Sequence, residues 1–252
     1  MTSRKIYLLI GTLSLIGFLT LLVSNVKNYK ATENYYADSF VEYIKSTNTS
    51  QKTKNENKNG ITNDENTEAT SLLDMKLDYK GLSDKNSDFI GWLRNNEMDL
   101  PLVQTTDNDF YLSHNFDKES NKYGCIFLDY RINMDDNILL FHGHNVNGNL
   151  MFGSLKKYKN TEGYLEENRK FAIALPNSEY DFIEYNVEQI AIVEETNELL
   201  DPSSYSMEEY KKLIKKYVKN PSDKLMDSDK IIVLSTCYGR AGTDKRLLIF
   251  LI

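Results

Sequence analysis

Cys237 closes the run Ile231-Ile232-Val233-Leu234-Ser235-Thr236-Cys237, which stops at Tyr238-Gly239. A thiol at the mouth of a strand, ahead of a glycine-containing loop, is well placed to meet a substrate as a nucleophile. Taken alone, a cysteine on an apolar strand is more often a small buried core residue. A nucleophile also needs a proton partner, and the chain has only three histidines. His144 ends a second apolar run, Asn137-Ile138-Leu139-Leu140-Phe141-His142-Gly143-His144. Alternate residues of a strand share a face, so His142 points with His144, and Ser235 with Cys237. His142 and His144, with His114 or Cys125, are also the rival set for a metal, but no acidic or cysteine residue stands nearby at ligand spacing, and no metal or other cofactor is expected. Arg246 opens a final apolar run nine residues after Cys237. A hairpin would return its guanidinium close to the sulfur, as a permanent positive charge for a developing oxyanion. Arg240 falls in the turn, where a solvated charge is the ordinary expectation.

Strands must position these residues. Gly124–Arg131, Asn137–His144, Phe171–Leu175, Asp181–Glu194, Ile231–Cys237 and Arg246–Ile252 are β-branched or aromatic runs bounded by Gly, Asn, Asp or Pro. Two helices are expected in the same region. One covers Tyr79–Asn95, where Leu82, Phe89, Ile90 and Leu93 share a helical face, although Gly81 and Gly91 weaken it. The other covers Met207–Lys219, opened by Ser206 and Glu209 as a capping box. Six or more short strands with few helices point to a mainly β protein, a closed or nearly closed barrel.

The chain has 252 residues, 37 acidic against 30 basic, and two cysteines. Two cysteines cannot staple a scaffold, and the acidic balance gives no general attraction for nucleic acid. A mean hydropathy of −0.51 excludes a polytopic membrane protein. The average conceals three regions. From Ile6 to Val26 no residue is charged, Arg4 and Lys5 precede, and the length suits a single membrane-spanning helix. Ser24-Asn25-Val26-Lys27 is a poor cleavage site, so an uncleaved signal anchor over residues 6–26, with residues 1–5 cytoplasmic, is expected over a cleaved signal. Asn34–Lys45 carries Tyr36, Phe40, Tyr43 and Ile44 at the spacing of a short amphipathic helix. Between Ser46 and Thr70 only Ile61 and Ala69 are apolar, too little to offset ordering entropy, so residues 27–71 read as a largely disordered stalk and residues 72–252 as the folded domain.

The combined residues resemble the sortases, membrane-anchored cysteine transpeptidases of Gram-positive bacteria, and specifically class B. The resemblance is carried by Asp88-Phe89-Ile90-Gly91-Trp92-Leu93, Leu100-Pro101-Leu102-Val103-Gln104, Asp107-Asn108-Asp109-Phe110-Tyr111-Leu112 with His114-Asn115-Phe116, and Ile126-Phe127-Leu128-Asp129-Tyr130-Arg131. It continues through Gly143-His144-Asn145, Met151-Phe152-Gly153-Ser154-Leu155 and Leu234-Ser235-Thr236-Cys237, in order over residues 75–252. It implies an eight-stranded β-barrel with N-terminal helices and a helix between the barrel's sixth and seventh strands (the β6/β7 connection of that family). It implies that Cys237 attacks the threonine carbonyl of an NPxTx-type or related C-terminal sorting signal on a secreted protein. Arg246 would then hold the oxyanion and His144 protonate the leaving amine, before an amine of peptidoglycan or its lipid-linked precursor resolves the thioester. Asn108, Leu112, His142 and Ser235 fall at substrate-contacting positions, and Thr196–Tyr205 is expected to line the groove. The chain would be a single-pass protein of the cell membrane with its catalytic domain outside. It departs from the family pattern at His142, where a Tyr is usual, at Cys125, where a Ser is common, and at Tyr238-Gly239-Arg240. Both cysteines are expected to be free thiols. A cysteine protease that only hydrolyses, or a non-catalytic binding module on the same barrel, are the alternatives.

Overall fold

The computed structural model describes residues 3–46, 73, 75–146, 148–179, 181–239 and 244–252. The chain divides into two compact units, Met1–Val41 and Glu42–Ile252.

The first unit is one helix, α1 (Ser3–Asp38). From Ile10 to Val26 its large apolar side chains are exposed, and it is long and apolar enough to cross a membrane. No separate amphipathic helix forms over Asn34–Lys45. No Gly or Pro interrupts the chain between Phe18 and Asp38, so α1 continues unbroken, and a 3-10 turn (Val41–Tyr43) then leads into a short strand, β1 (Ile44–Ser46). Residues 47–71 of the expected stalk lie outside the described residues.

In the second unit β1 pairs antiparallel with β2 (Met75–Leu77), Ile44 opposite Leu77. Next comes α2 (Tyr79–Lys85), capped by Asp78, whose carboxylate accepts from the Gly81 amide. The helix expected to reach Asn95 stops here, and Phe89–Arg94 is instead the first barrel strand, β3. Asn86 ends the helix by turning extended and burying its amide, which donates to Tyr111 Oη at 2.8 Å and to the Phe116 carbonyl at 2.7 Å. Gly91 answers to the sheet: a Cβ there would lie 2.3 Å from the Ala174 carbonyl oxygen on the neighbouring strand.

The remaining strands are β4 (Asp99–Val103), β5 (Ile126–Leu128), β6 (Ile138–His142), β7 (Lys170–Ala174), β8 (Phe182–Glu194), β9 (Ile231–Cys237) and β10 (Lys245–Leu251). With β3 they close an eight-stranded barrel in the order β10-β8-β7-β3-β4-β5-β6-β9. The structure is mainly β, with helices before the barrel and in its connections. Its core is apolar, with Trp92, Phe141, Phe171 and Phe250 fully buried.

All contacts in the barrel are antiparallel except β4 with β5 and β6 with β9. Parallel neighbours need long crossovers. The crossover from β6 to β9 holds β7 and β8 and the helices α3 (Lys157–Asn160), α4 (Tyr164–Glu167), α5 (Met207–Tyr217) and α6 (Asp223–Asp227). Between the sixth and seventh barrel strands, β8 and β9, α5 occupies the expected place. Its capping box forms as read, with the Ser206 amide donating to Glu209 Oε2 at 2.9 Å, and it buries Tyr210, Leu213 and Ile214.

Candidate active site

β9 is buried on both faces from Ile231 to Thr236, and only its last residue, Cys237, emerges. β6 runs parallel to it, from Ile138 opposite Ile231 to His142 opposite Ser235, so both strands deliver their C-terminal ends to the same rim. β10 runs back along the other side of β9 and sets Arg246 directly opposite Cys237. Side chains of directly opposed residues leave the same face, and Arg246 and Cys237 line the same cleft.

Three hydrogen bonds tie the exit of β6 to the exit of β9. The Gly143 amide donates to the Ser235 carbonyl at 3.2 Å, the Thr236 hydroxyl to the Gly143 carbonyl at 2.7 Å, and the Asn145 side-chain amide to the Cys237 carbonyl at 2.8 Å. Gly143 is required for this packing, because a Cβ would lie 2.7 Å from the ring of buried Phe152. His144, between these contacts, places Nε2 2.8 Å from the Leu112 carbonyl oxygen. A carbonyl only accepts, so Nε2 carries the hydrogen and Nδ1 is the nitrogen left for proton exchange.

Cys237, His144 and Arg246 line one cleft of about 400 Å³ with Asn108, Leu112, His142 and Ser235. All seven residues singled out in the sequence therefore meet in one place. The Ser235 hydroxyl is buried and has no hydrogen-bond partner among the described residues. Leu112 is partly exposed and, with Phe127 and Leu200, gives the cleft an apolar wall. Of the groove-lining stretch expected over Thr196–Tyr205, Leu200 faces the cleft. Cys125 is a free thiol buried in the barrel wall, its sulfur 3.7 Å from the Pro101 carbonyl oxygen, and Cys237 is a free, exposed thiol. His114 stacks on Phe110 and reaches that residue's carbonyl at 2.8 Å. Among the described residues no group of three or more His, Cys, Asp or Glu side chains converges as for a metal.

Four charged or polar residues at the cleft carried no role in the sequence. Asp129, just past β5, is fully buried beneath it. Its Oδ1 accepts from the Arg131 amide at 3.0 Å and Arg131 Nε at 2.8 Å. Its Oδ2 accepts from an Arg131 terminal nitrogen at 2.7 Å, from Asn108 at 2.9 Å and faces His142 Nε2 at 3.1 Å. Burial opposes ionisation, but the hydrogen bonds from Arg131 and His142 outweigh it and hold the carboxyl well below the usual carboxylate range. Asn108 is committed at both ends, since its Oδ1 accepts from the Tyr130 amide at 3.0 Å. Glu195, just past β8, pairs with Arg246. Asn145 is the fourth, through its bond to the Cys237 carbonyl. Asp129 and Arg131 had one signal: two opposite charges two residues apart, directly after the apolar strand Ile126-Phe127-Leu128. For Glu195 only the strand register supplies one.

Comparison with known proteins finds the same framework. The family model described as "Sortase domain" matches residues 98–251. Sortase B of Listeria monocytogenes is 32% identical over 177 residues, 65% of this chain and 68% of that protein. Sortase B of Staphylococcus aureus is 25% identical over 185 residues, 69% of this chain and 74% of that protein. Among solved structures, Clostridium perfringens sortase B superposes with a TM-score of 0.58 at 27% identity, over 68% of this chain and 97% of that one.

Proposed function

The chain belongs to the sortase family, class B, whose members are cysteine transpeptidases, and on that premise we propose how its own residues carry the reaction. The observation that carries the proposal is the strand register: Arg246 opposite Cys237 on one side of β9, and the His144 exit of parallel β6 on the other.

The Cys237 thiol gives its proton to His144 Nδ1, and its sulfur attacks the threonine carbonyl of an NPxTx-type or related sorting signal near the C-terminus of a secreted protein. A C–S bond forms, and the carbonyl electron pair moves onto oxygen, where the Arg246 guanidinium meets the charge. The oxyanion collapses, the peptide C–N bond breaks, and His144 gives its Nδ1 proton to the departing amine. An acceptor amine of peptidoglycan or its lipid-linked precursor then attacks the thioester carbon. Its proton passes to His144 and the thiolate leaves, so the nucleophile and its partner are regenerated. Leu112, His142 and the unpartnered Ser235 hydroxyl line the path of the peptide, and Asn108 shapes its wall.

The apolar part of α1, residues 6–26, serves as a single-pass signal anchor with residues 1–5 in the cytoplasm, and the catalytic domain acts outside. Residues 27–71 serve as the tether. Support comes from one helix long and apolar enough to cross a membrane.

The test is cleavage of fluorogenic peptides bearing NPxTx-type and proline-lysine-threonine-containing signals, with and without a wall-like amine. Cleavage after threonine and an amine-dependent joined product are expected, and both vanish in Cys237→Ala. Equal cleavage by that variant sinks the assignment of the nucleophile, and hydrolysis with no joined product favours a protease.

A further inference from the structure

The Arg131 guanidinium makes contact along two edges. One edge, Nε and a terminal nitrogen, forks onto buried Asp129 at 2.8 and 2.7 Å. The other reaches the segment that follows β8: a terminal nitrogen lies 2.9 Å from Asp201 Oδ1, and another donates to the Leu200 carbonyl at 3.0 Å. Leu200 is a wall of the cleft. The same Asp129 carboxylate accepts from Asn108 on a second wall and faces His142 on a third. A carboxylate that is 1% exposed and already bound by its neighbours is a fixed point, so Arg131 ties an outer connection to it. Leu200 ends a 3-10 turn (Glu198–Leu200) whose inner face α5 holds, through Tyr210 Oη on the Leu199 carbonyl at 2.8 Å and Lys216 on Glu198, so Arg131 is the contact made to Leu200 from the cleft side. Among the described residues no ladder pairing of the barrel includes Leu200.

We propose that Arg131 is a positioning residue for substrate: a clasp that holds the Leu200 wall against the cleft, with Asp129 as its anchor and Asp201 as its catch. The inference rests on the reading of this cleft as a peptide site. A wall that opens lowers the fraction of molecules competent to bind, and apparent affinity falls by that fraction while the chemistry at Cys237 is untouched. Lysine cannot substitute, because a single ammonium cannot fork onto Asp129 and reach Asp201 at once.

The experiment uses the full chain in detergent with Arg131→Lys, Asp201→Asn and the double variant. It reads KM and kcat for sorting-signal peptides together with amide exchange over residues 197–205. Each single variant is expected to raise KM by about tenfold, the scale of one charge-assisted hydrogen bond. Turnover at saturation stays within about twofold, the two changes are not additive, and exchange over residues 197–205 quickens in both. Unchanged KM with unchanged exchange overturns the clasp, as does a loss of kcat and melting temperature at constant KM, which marks a merely structural pair. If the unmodified chain cleaves no such peptide, the peptide reading fails, and the exchange data still decide whether Arg131 holds the wall.

Discussion

The two sides of the cleft are held in place by different forces. On the β6, β9 and β10 side, Cys237, the His144 exit and Arg246 are set by backbone ladders, with Cys237 opposite Arg246 and Ser235 opposite His142. On the opposite side, Asn108 and the Leu200 segment converge on the side chains of Asp129 and Arg131, and the ring of ladder-set His142 also meets Asp129. Register on the first side cannot slip without moving a whole buried strand. The cleft-facing contacts of the second side meet at one carboxylate and one guanidinium, each replaceable by a single substitution. A fold of this kind can keep its chemistry constant while its recognition surface changes.

Variants can break each side separately. Arg246→Ala removes the charge from the ladder-held side and should lower kcat by about 10²–10³, as loss of one oxyanion donor does, with the melting temperature little changed. Near-normal turnover would mean that the β9–β10 register does not serve the chemistry. Asp129→Asn strikes the other side and should cost about 2–3 kcal/mol of stability at neutral pH, the scale of hydrogen bonds to a charged group.

That loss has a pH signature. The folded state holds the Asp129 carboxyl below its ordinary range, so it binds fewer protons there than the unfolded chain does. Its contribution is therefore complete above the unfolded value of about 3.9 and drains away as pH falls toward the folded value. Denaturant melts from pH 6 to pH 2 should show the variant's deficit shrinking with acid, and a deficit independent of pH would contradict the ionised anchor.

Gly143→Ala tests the seam between the sides by driving a Cβ toward Phe152, and should lower stability by about 1–2 kcal/mol, a typical cost of overpacking. An unaltered melting curve would show that the ring moves aside freely. The smallest effect is expected at Glu195, about half exposed at the rim beside Arg246. Glu195→Gln should change kcat by no more than about threefold, since exposed pairs contribute little. A larger loss would make Glu195 part of the oxyanion site.

The ladder-held side was the legible one. Ile231–Cys237 is a strand with the bounds read from its unbroken apolar run, and Ser206 with Glu209 opens α5 as their spacing requires. Phe89–Arg94 was misread because Leu82, Phe89, Ile90 and Leu93 satisfy a helical period by accident, whereas the deciding contact, Gly91 against the Ala174 carbonyl, comes from a strand about 80 residues away, and such tertiary contacts override local periodicity. β4 is absent from the runs read as strands; Pro101 lies in its middle, and proline argues against a central strand. The side-chain clasp left no periodic trace, because one carboxylate gathering donors from three segments is a property of the folded chain alone.

Because β6 and β9 are parallel neighbours, pairing them closes a loop that runs from Gly143 to Lys230, and that closure brings the β6 exit to Cys237. Contacts between segments so far apart in sequence form slowly and late. On the proposed mechanism, a newly made chain thus carries its thiol without a proton partner until the barrel closes. Reactivity of that thiol toward a substrate-like probe is then a clock for the last step of folding.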